Sequence, residues 1–257
     1  MRKPLCIDGF CGLGGWAEGF LAEGWDVIGF DIEQHVYGEH RYPGMLVIQD
    51  MLTVHGSQFK GADCLVMSPP CQAYSYRAMP WSRAKALPPP DNALFDACFR
   101  IQREACEAAG RHIPMVIENV RGAQPWVGRA RWNFGSYYLW GDVPALMPTA
   151  RAFKSAGLNW SDRSKPCDYT RLAGRQAMEG IKTAGPGWDA EAGHARWGMP
   201  RWTNPSEGRK GAGAGAAWFY GNLCQLPSAS LRRKEASAMI AKIPLPLSRH
   251  IARTFRP

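Results

Sequence analysis

Ser68-Pro-Pro-Cys71-Gln72 sets a thiol behind two prolines at the end of an apolar run, residues 62–68 (ADCLVMS). A thiol held rigidly at the carboxyl end of a strand is a candidate nucleophile where its surroundings lower its pKa, and otherwise a small apolar filler. A second group shifts that balance. Residues 115–117 form another short strand that runs into Glu118-Asn119-Val120 and puts a carboxylate on the same sheet edge. A thiol and a carboxylate on neighbouring strand ends can face one flat substrate, the thiol attacking and the carboxyl handling a proton.

A third feature implies a ligand. Residues 8–17 (DGFCGLGGWA) contain Gly12-x-Gly14-x-x-Ala17 after a first strand, and Asp31 ends the second strand at the right remove. Glycines let the backbone approach a ligand, a helix N-terminus faces it, and the acid can accept hydrogen bonds from ribose hydroxyls. The motif implies a nucleotide-type ligand without separating NAD from S-adenosylmethionine.

The elements that must position these groups alternate. Strands are expected at 4–10, 25–31, 44–49, 62–68 and 115–117, with helices from the glycine turn to about residue 23 and at 92–109. This pattern predicts an α/β fold, a doubly wound and mostly parallel Rossmann-like sheet. After residue 146 the periodicity gives way to Gly, Trp, Pro and Arg, including GRKGAGAGAAW at 208–218, and helices resume at 230–241 and 244–255. The expected organisation is a catalytic, cofactor-binding domain at 1–149, a small loop-rich target-recognition region at 150–225, and C-terminal helices at 226–257 packing back on the first domain.

Composition narrows the partners. The 257 residues are 46% hydrophobic and 21% charged, and no apolar run approaches the roughly 20 residues that span a bilayer. The N-terminus lacks the apolar stretch of a secretory signal, so a soluble cytoplasmic protein is expected. The eight cysteines form no CxxC pair and do not cluster with the six histidines, so neither a metal site nor a disulfide framework is expected. Residues 1–128 hold 11 Lys/Arg against 14 Asp/Glu, and residues 129–257 hold 20 against 8. A basic second half with seven of the eleven tryptophans suits nucleic acid as well as it suits a solvated surface.

In order and spacing, GFCGLGG, PPCQAYS, the DNALFDACFRI helix and IENV resemble the motifs of the DNA cytosine-C5 methyltransferase family, over most of residues 5–122, in the style of a short phage or prophage member. The resemblance implies S-adenosylmethionine as cofactor, double-stranded DNA as partner and action as a monomer. It implies that Phe10, Gly12, Leu13 and Gly15 line the cofactor and that Asp31 holds its ribose. Ile32 would lie against the adenine, Asp50 with Met51 would reach its edge, and Pro70 and Leu94 would complete the pocket. Cys71 would add to C6 of a flipped cytosine while Glu118 acts at N3. The segment 72–90 would close over the base, with Arg77, Arg83 and Lys85 meeting phosphates.

Two departures stand out. The family's QxRxR strand, whose arginines fix the cytosine and the glutamate, is replaced by Gln124 and Gly128-Arg-Ala-Arg131 soon after Val120, so Arg129 and Arg131 are the candidates for that role. The family's last motif appears as Ala241-Lys242-Ile243-Pro244, with Lys242 where an asparagine is usual. A lysine there would pair with an anion near the transferred carbon, implying carboxy-S-adenosylmethionine as donor and 5-carboxymethylcytosine as product, or would turn to solvent or phosphate beside the conventional donor. A nicotinamide dehydrogenase predicts no such thiol and carboxylate. An amino-methyltransferase of the (D/N/S)PP(Y/F) type needs an aromatic residue at position 71. A catalytically silent DNA-binding protein would have no use for the intact Cys71 and Glu118.

Overall fold

Runs that are apolar on both faces can satisfy their backbone only in the middle of a covered sheet, and that is where they lie. A computed structural model of the chain describes residues 2–75, 88–148, 188–189, 194–195, 227 and 229–257. Strands β1 (Leu5–Gly9), β2 (Asp26–Asp31), β5 (Met45–Ile48), β6 (Cys64–Met67) and β7 (Met115–Asn119) are mutually parallel. β6 and β7 are buried at every residue. Two antiparallel strands, β8 (Trp132–Phe134) and β9 (Tyr137–Gly141), extend the sheet to the order β5-β2-β1-β6-β7-β9-β8. The order reverses between β1 and β6, and at such a switch point the crevice at the strands' carboxyl ends receives ligands. The protein therefore has the doubly wound, mostly parallel Rossmann-like fold expected from its sequence.

Helix α1 (Gly15–Ala22) follows β1, and α2 (Ala93–Ala109) lies between β6 and β7 in the chain. α2 buries Phe95, Ala97, Cys98, Ile101 and Ala105, the spacing of one helical face, and ends at Gly110 in the left-handed conformation (φ 64°). A short α3 (Gln124–Val127) leads toward β8. The β8–β9 hairpin turns at Gly135 (φ 60°) and is absent from the sequence expectations. A three-residue strand offers too little alternation to be read. The β2-to-β5 connection has no helix either. A two-residue hairpin, β3 (Val36–Tyr37) with β4 (His40–Arg41), precedes Tyr42, whose buried ring covers Gly29 so closely that a Cβ there would come within 2.4 Å of it.

The chain divides into two compact units, Met1–Thr149 with Lys242–Pro257, and Ala150–Ala241. Within the second, the described residues form an antiparallel pair, β10 (Trp188–Asp189) with β11 (His194–Ala195), and helix α4 (Leu231–Ala241). Arg77, Arg83, Lys85, the Gly-rich segment 208–218 and nearly all of the region 150–225 lie outside the described residues. In the first unit, α5 (Leu245–Thr254) packs along α1. Ser248 Oγ donates to the Trp16 carbonyl, Trp25 Nε1 donates to the Ala252 carbonyl at 3.2 Å, and Arg249 and Arg253 both pair with Glu23. The helices approach this closely because residue 19 is glycine: a Cβ there would sit 2.1 Å from Ser248 Oγ. No helix among the described residues is long and apolar enough to cross a membrane, and no cluster of three or more His, Cys, Asp or Glu among them is placed to hold a metal ion.

Asp8 is fully buried beneath the glycine turn. Its Oδ2 accepts a long 3.4 Å hydrogen bond from the Tyr42 hydroxyl, and its Oδ1 has no hydrogen-bond partner. Burial pushes its carboxyl well above the ordinary value, against the lowering effect of Tyr42. A pKa raised on folding makes the group most favourable below its unfolded value, with that contribution lost as pH rises through the folded value. Asp8→Asn is therefore expected to gain melting temperature relative to wild type as pH is raised from 4 to 8. Parallel thermal melts across that range check the sign of the trend.

Candidate active site

The turn after β1 is built for close approach. Phe10 (φ 56°), Gly12 (φ 51°) and Gly14 (φ 76°) are all left-handed, and Phe10 is the non-glycine residue among the described ones to adopt that conformation. A Cβ on Gly12 would meet nothing within 4 Å, so the turn opens on free space there. On its inner side the turn is packed tight. A Cβ on Gly15 would sit 2.2 Å from the Ile243 nitrogen, and Leu13 is buried.

Asp31, nearly buried at the end of β2, accepts from the Gly12 amide at 2.8 Å and the Ile32 amide at 2.8 Å, with His35 Nε2 at 3.7 Å. Burial pushes its carboxyl up, but the contacts from His35 and from the Gly12 and Glu33 amides outweigh that, holding it below the ordinary carboxylate value. Beside it the apolar Ile32 is 68% exposed. A left-handed Gly12 opening on space, a strand-end carboxylate held below its ordinary pKa and an exposed aliphatic side chain together make a surface that a nucleotide-type ligand could meet.

The thiol and the carboxylate stand on adjacent strands. Met67 of β6 is in register with Ile117 of β7, so Cys71 lies four residues past one strand position and Glu118 one residue past its neighbour. Cys71 is half-buried and Glu118 is 5% exposed. The loop between is fastened from several sides. Asn119 Nδ2 donates to the Pro69 carbonyl at 3.0 Å while its Oδ1 accepts from the Val120 amide at 2.8 Å. Ser68 Oγ accepts from Trp16 Nε1 at 3.0 Å. The Tyr74 amide donates to the Cys71 carbonyl at 3.0 Å, and its hydroxyl donates to Asn92 Oδ1 at 2.9 Å. Gly122 must be glycine, since a Cβ would come within 2.2 Å of the Tyr74 oxygen.

Asn119, Trp16 and Tyr74 were not among the residues singled out by sequence. The signal for Asn119 was its place beside Glu118, and for Trp16 its place beside the glycine turn. Asn119→Ala would strand the buried Pro69 carbonyl and the Val120 amide. It is expected to cost about 1–3 kcal/mol of stability and to lower turnover with little change in cofactor affinity, as read by denaturation and calorimetry.

A cavity of about 260 Å³ opens beside this loop, lined by Pro69, Pro70, Gln72, Tyr74, Leu94 and Phe95 among others. Pro70 and Leu94 both line it. Asp50 is half-buried and accepts from the Leu52 amide at 2.9 Å, and the Met51 side chain is buried in the core with Ile7, Phe30 and Leu65.

Arg129, Arg131 and Lys242 complete the expected set. Arg129 and Arg131 are exposed and precede β8 at the sheet edge, and the strand beside Glu118 is β9, in which Leu139 pairs with Glu118. The Arg131 amide donates to the Leu139 carbonyl at 2.9 Å, so the backbone of this segment runs beside the residue that faces Glu118 across β7 and β9. Lys242 does lie at the glycine turn, with its Cγ 2.9 Å from where a Gly15 Cβ would be, but its ammonium is paired with Glu18 of α1. Its carbonyl accepts from the Tyr137 hydroxyl at 3.0 Å. An ammonium already committed to a carboxylate offers no uncompensated charge for an extra carboxylate on the donor. The expectation of carboxy-S-adenosylmethionine is therefore not supported.

Residues 5–124 match the C-5 cytosine-specific DNA methylase family, a span that holds the glycine turn, Asp31, Cys71 and Glu118. Among solved structures, the chain is similar to one described as a DNA modification methyltransferase encoded within an E. coli prophage (26% identity over 49% of this chain and 35% of that one, TM-score 0.35). It is also similar to the S. pombe Dnmt2 methyltransferase (15% identity, 48% and 36%, TM-score 0.33) and to the Entamoeba histolytica methyltransferase EhMeth (13% identity, 99% and 98%, TM-score 0.48). The chain spans about a third of the length of the first two. Comparison with curated proteins finds no match.

Proposed function

We infer that this chain, whose residues 5–124 match the C-5 cytosine-specific DNA methylase family, methylates carbon 5 of cytosine in DNA with S-adenosylmethionine as donor. The observation that carries the reading is the placement of Cys71 and Glu118 on the carboxyl ends of neighbouring parallel strands, with Asn119 of the second strand holding the Pro69 carbonyl of the loop that bears the thiol.

In this reading Phe10, Gly12, Leu13, Gly15, Asp31 and Ile32 hold the cofactor, joined by Asp50, Met51, Pro70 and Leu94. When bound there, it supplies an electrophilic methyl group on a sulfonium. Cytosine C5 is a poor nucleophile until something adds to C6. The Cys71 thiolate forms a bond to C6, and Glu118, hydrogen-bonded at N3, stabilises the charge that develops as the ring becomes an enamine. After methylation, loss of the C5 proton and expulsion of the Cys71 thiolate restore the aromatic ring. C6 is inaccessible within a stacked duplex, so the base is turned out of the helix. The basic region 150–225 is assigned to target recognition, with Arg77, Arg83 and Lys85 assigned to phosphates.

Mass spectrometry of nucleosides after incubation with unmodified genomic DNA and S-adenosylmethionine tests this directly. The expected product is 5-methylcytosine, absent when Cys71 is replaced. DNA binding without any modified nucleoside would favour a catalytically silent DNA-binding protein.

A further inference from the structure

Resting on that reading, we propose that the Trp16–Ser68 hydrogen bond is a positioning link that makes the placement of Cys71 respond to cofactor binding at the glycine turn. Trp16 is the second residue of α1, directly after the turn that opens on the ligand space. Its indole is 2% exposed, and its Nε1 donates to Ser68 Oγ at 3.0 Å. Ser68 is the first residue past β6, and its own amide is fixed to the Gly9 carbonyl of β1 at 3.1 Å. The bond therefore joins the helix after β1 to the loop after β6, the two strands that flank the switch point.

The three residues after Ser68 are Pro69, Pro70 and Cys71, and the prolines restrict the backbone that carries a displacement to the thiol. The far side of the same loop is held by Asn119 on Pro69. A small shift of α1 on ligand binding then turns the loop about a fixed side instead of being absorbed. Glu18, two residues further along α1, is paired with Lys242, which ties the same helix to the C-terminal turn over Gly15. Because α1 begins directly after Gly14 of the glycine turn, a displacement of that turn is carried into the helix. Neither Trp16 nor Ser68 needs to touch the substrate or the cofactor for this role.

The test uses the intact protein, S-adenosylhomocysteine and no DNA. The rate of Cys71 alkylation by iodoacetamide is followed by peptide mass spectrometry with and without the ligand, and calorimetry gives the ligand's affinity. In wild type, saturating S-adenosylhomocysteine is expected to change the Cys71 alkylation rate by about fivefold or more, the lower end of ordinary coupling between sites. Ser68→Ala and Trp16→Phe are expected to bind the ligand within about threefold of wild type yet lose that response, and Ser68→Thr, which keeps a hydroxyl, is expected to retain it.

The double variant should be no worse than either single one, because both remove the same link. A response undiminished in Ser68→Ala, or no response in wild type that binds the ligand, overturns the proposal while leaving the methylation reading standing. Failure of wild type to bind S-adenosylhomocysteine overturns both. Ser68→Ala keeps the test decisive should Trp16→Phe fail to fold.

Discussion

Cys71→Ala is expected to reduce methyl transfer by about 10⁴-fold or more, the scale on which enzymes lose turnover when a covalent nucleophile is removed. The loss falls on turnover because Cys71 carries the thiol of the strand end, and the hydroxyls of Ser68 and Ser75 in the same segment are far weaker nucleophiles. The neighbouring Gln72 and Ala73 carry no nucleophile, and the other cysteines of the unit that are buried, Cys6, Cys11, Cys64 and Cys98, are enclosed by the core. Burial pushes the thiols of Cys6, Cys11 and Cys98 above their ordinary value, which suits apolar packing and not attack. Cys71 is half-buried at a loop, so its truncation should change stability by no more than about 0.5 kcal/mol. Cofactor affinity should also persist, because Asp31 and the glycine turn are untouched. Single-turnover kinetics beside calorimetry with S-adenosylhomocysteine separate the two effects.

Glu118→Gln is the second large effect, an expected loss of about 10²–10⁴-fold in kcat, the range for a positioned acid or base. Glutamine keeps the volume and the possibility of a hydrogen bond at N3 but carries no exchangeable carboxyl proton, so ring activation suffers while packing does not. Glu118 is 5% exposed and opposite Leu139, which makes the isosteric change gentler than removal. DNA affinity is expected to stay within about threefold, since contacts of this kind act mainly as charge develops in the ring. A gel-shift titration alongside steady-state kinetics checks the split between KM and kcat. Equal losses in binding and turnover would give Glu118 a structural role in the loop instead.

The central sheet was legible because strands buried on both faces are written as continuous apolar runs, as in Cys64–Met67 and Met115–Ile117. α2 was legible for the matching reason: seventeen residues give the 3.6 period room to show. The β8–β9 hairpin was not, being two short aromatic strands, and its early arrival set Arg129 and Arg131 at the sheet edge. That β9, and not β8, is the strand beside Glu118 is a fact of pairing that no local pattern carries. Lys242 shows the same limit at one residue. Its position at the last motif was readable, but its partner, Glu18, lies 224 residues away in sequence. Asn119 was quoted with its neighbours yet not given a task, because a hydrogen bond to the Pro69 carbonyl depends on β6 and β7 being adjacent.

The most direct measurement of the central claim is denaturing electrophoresis of the protein after incubation with S-adenosylmethionine and duplex DNA in which cytosine is replaced by 5-fluorocytosine, from which C5 fluorine cannot leave as a proton does. A covalent protein–DNA complex is expected, formed by wild type, retained at a slower rate by Glu118→Gln, and absent from Cys71→Ala. A folded, cofactor-bound wild-type protein that forms no complex on long DNA of mixed sequence, or a complex that persists without Cys71, would contradict the account.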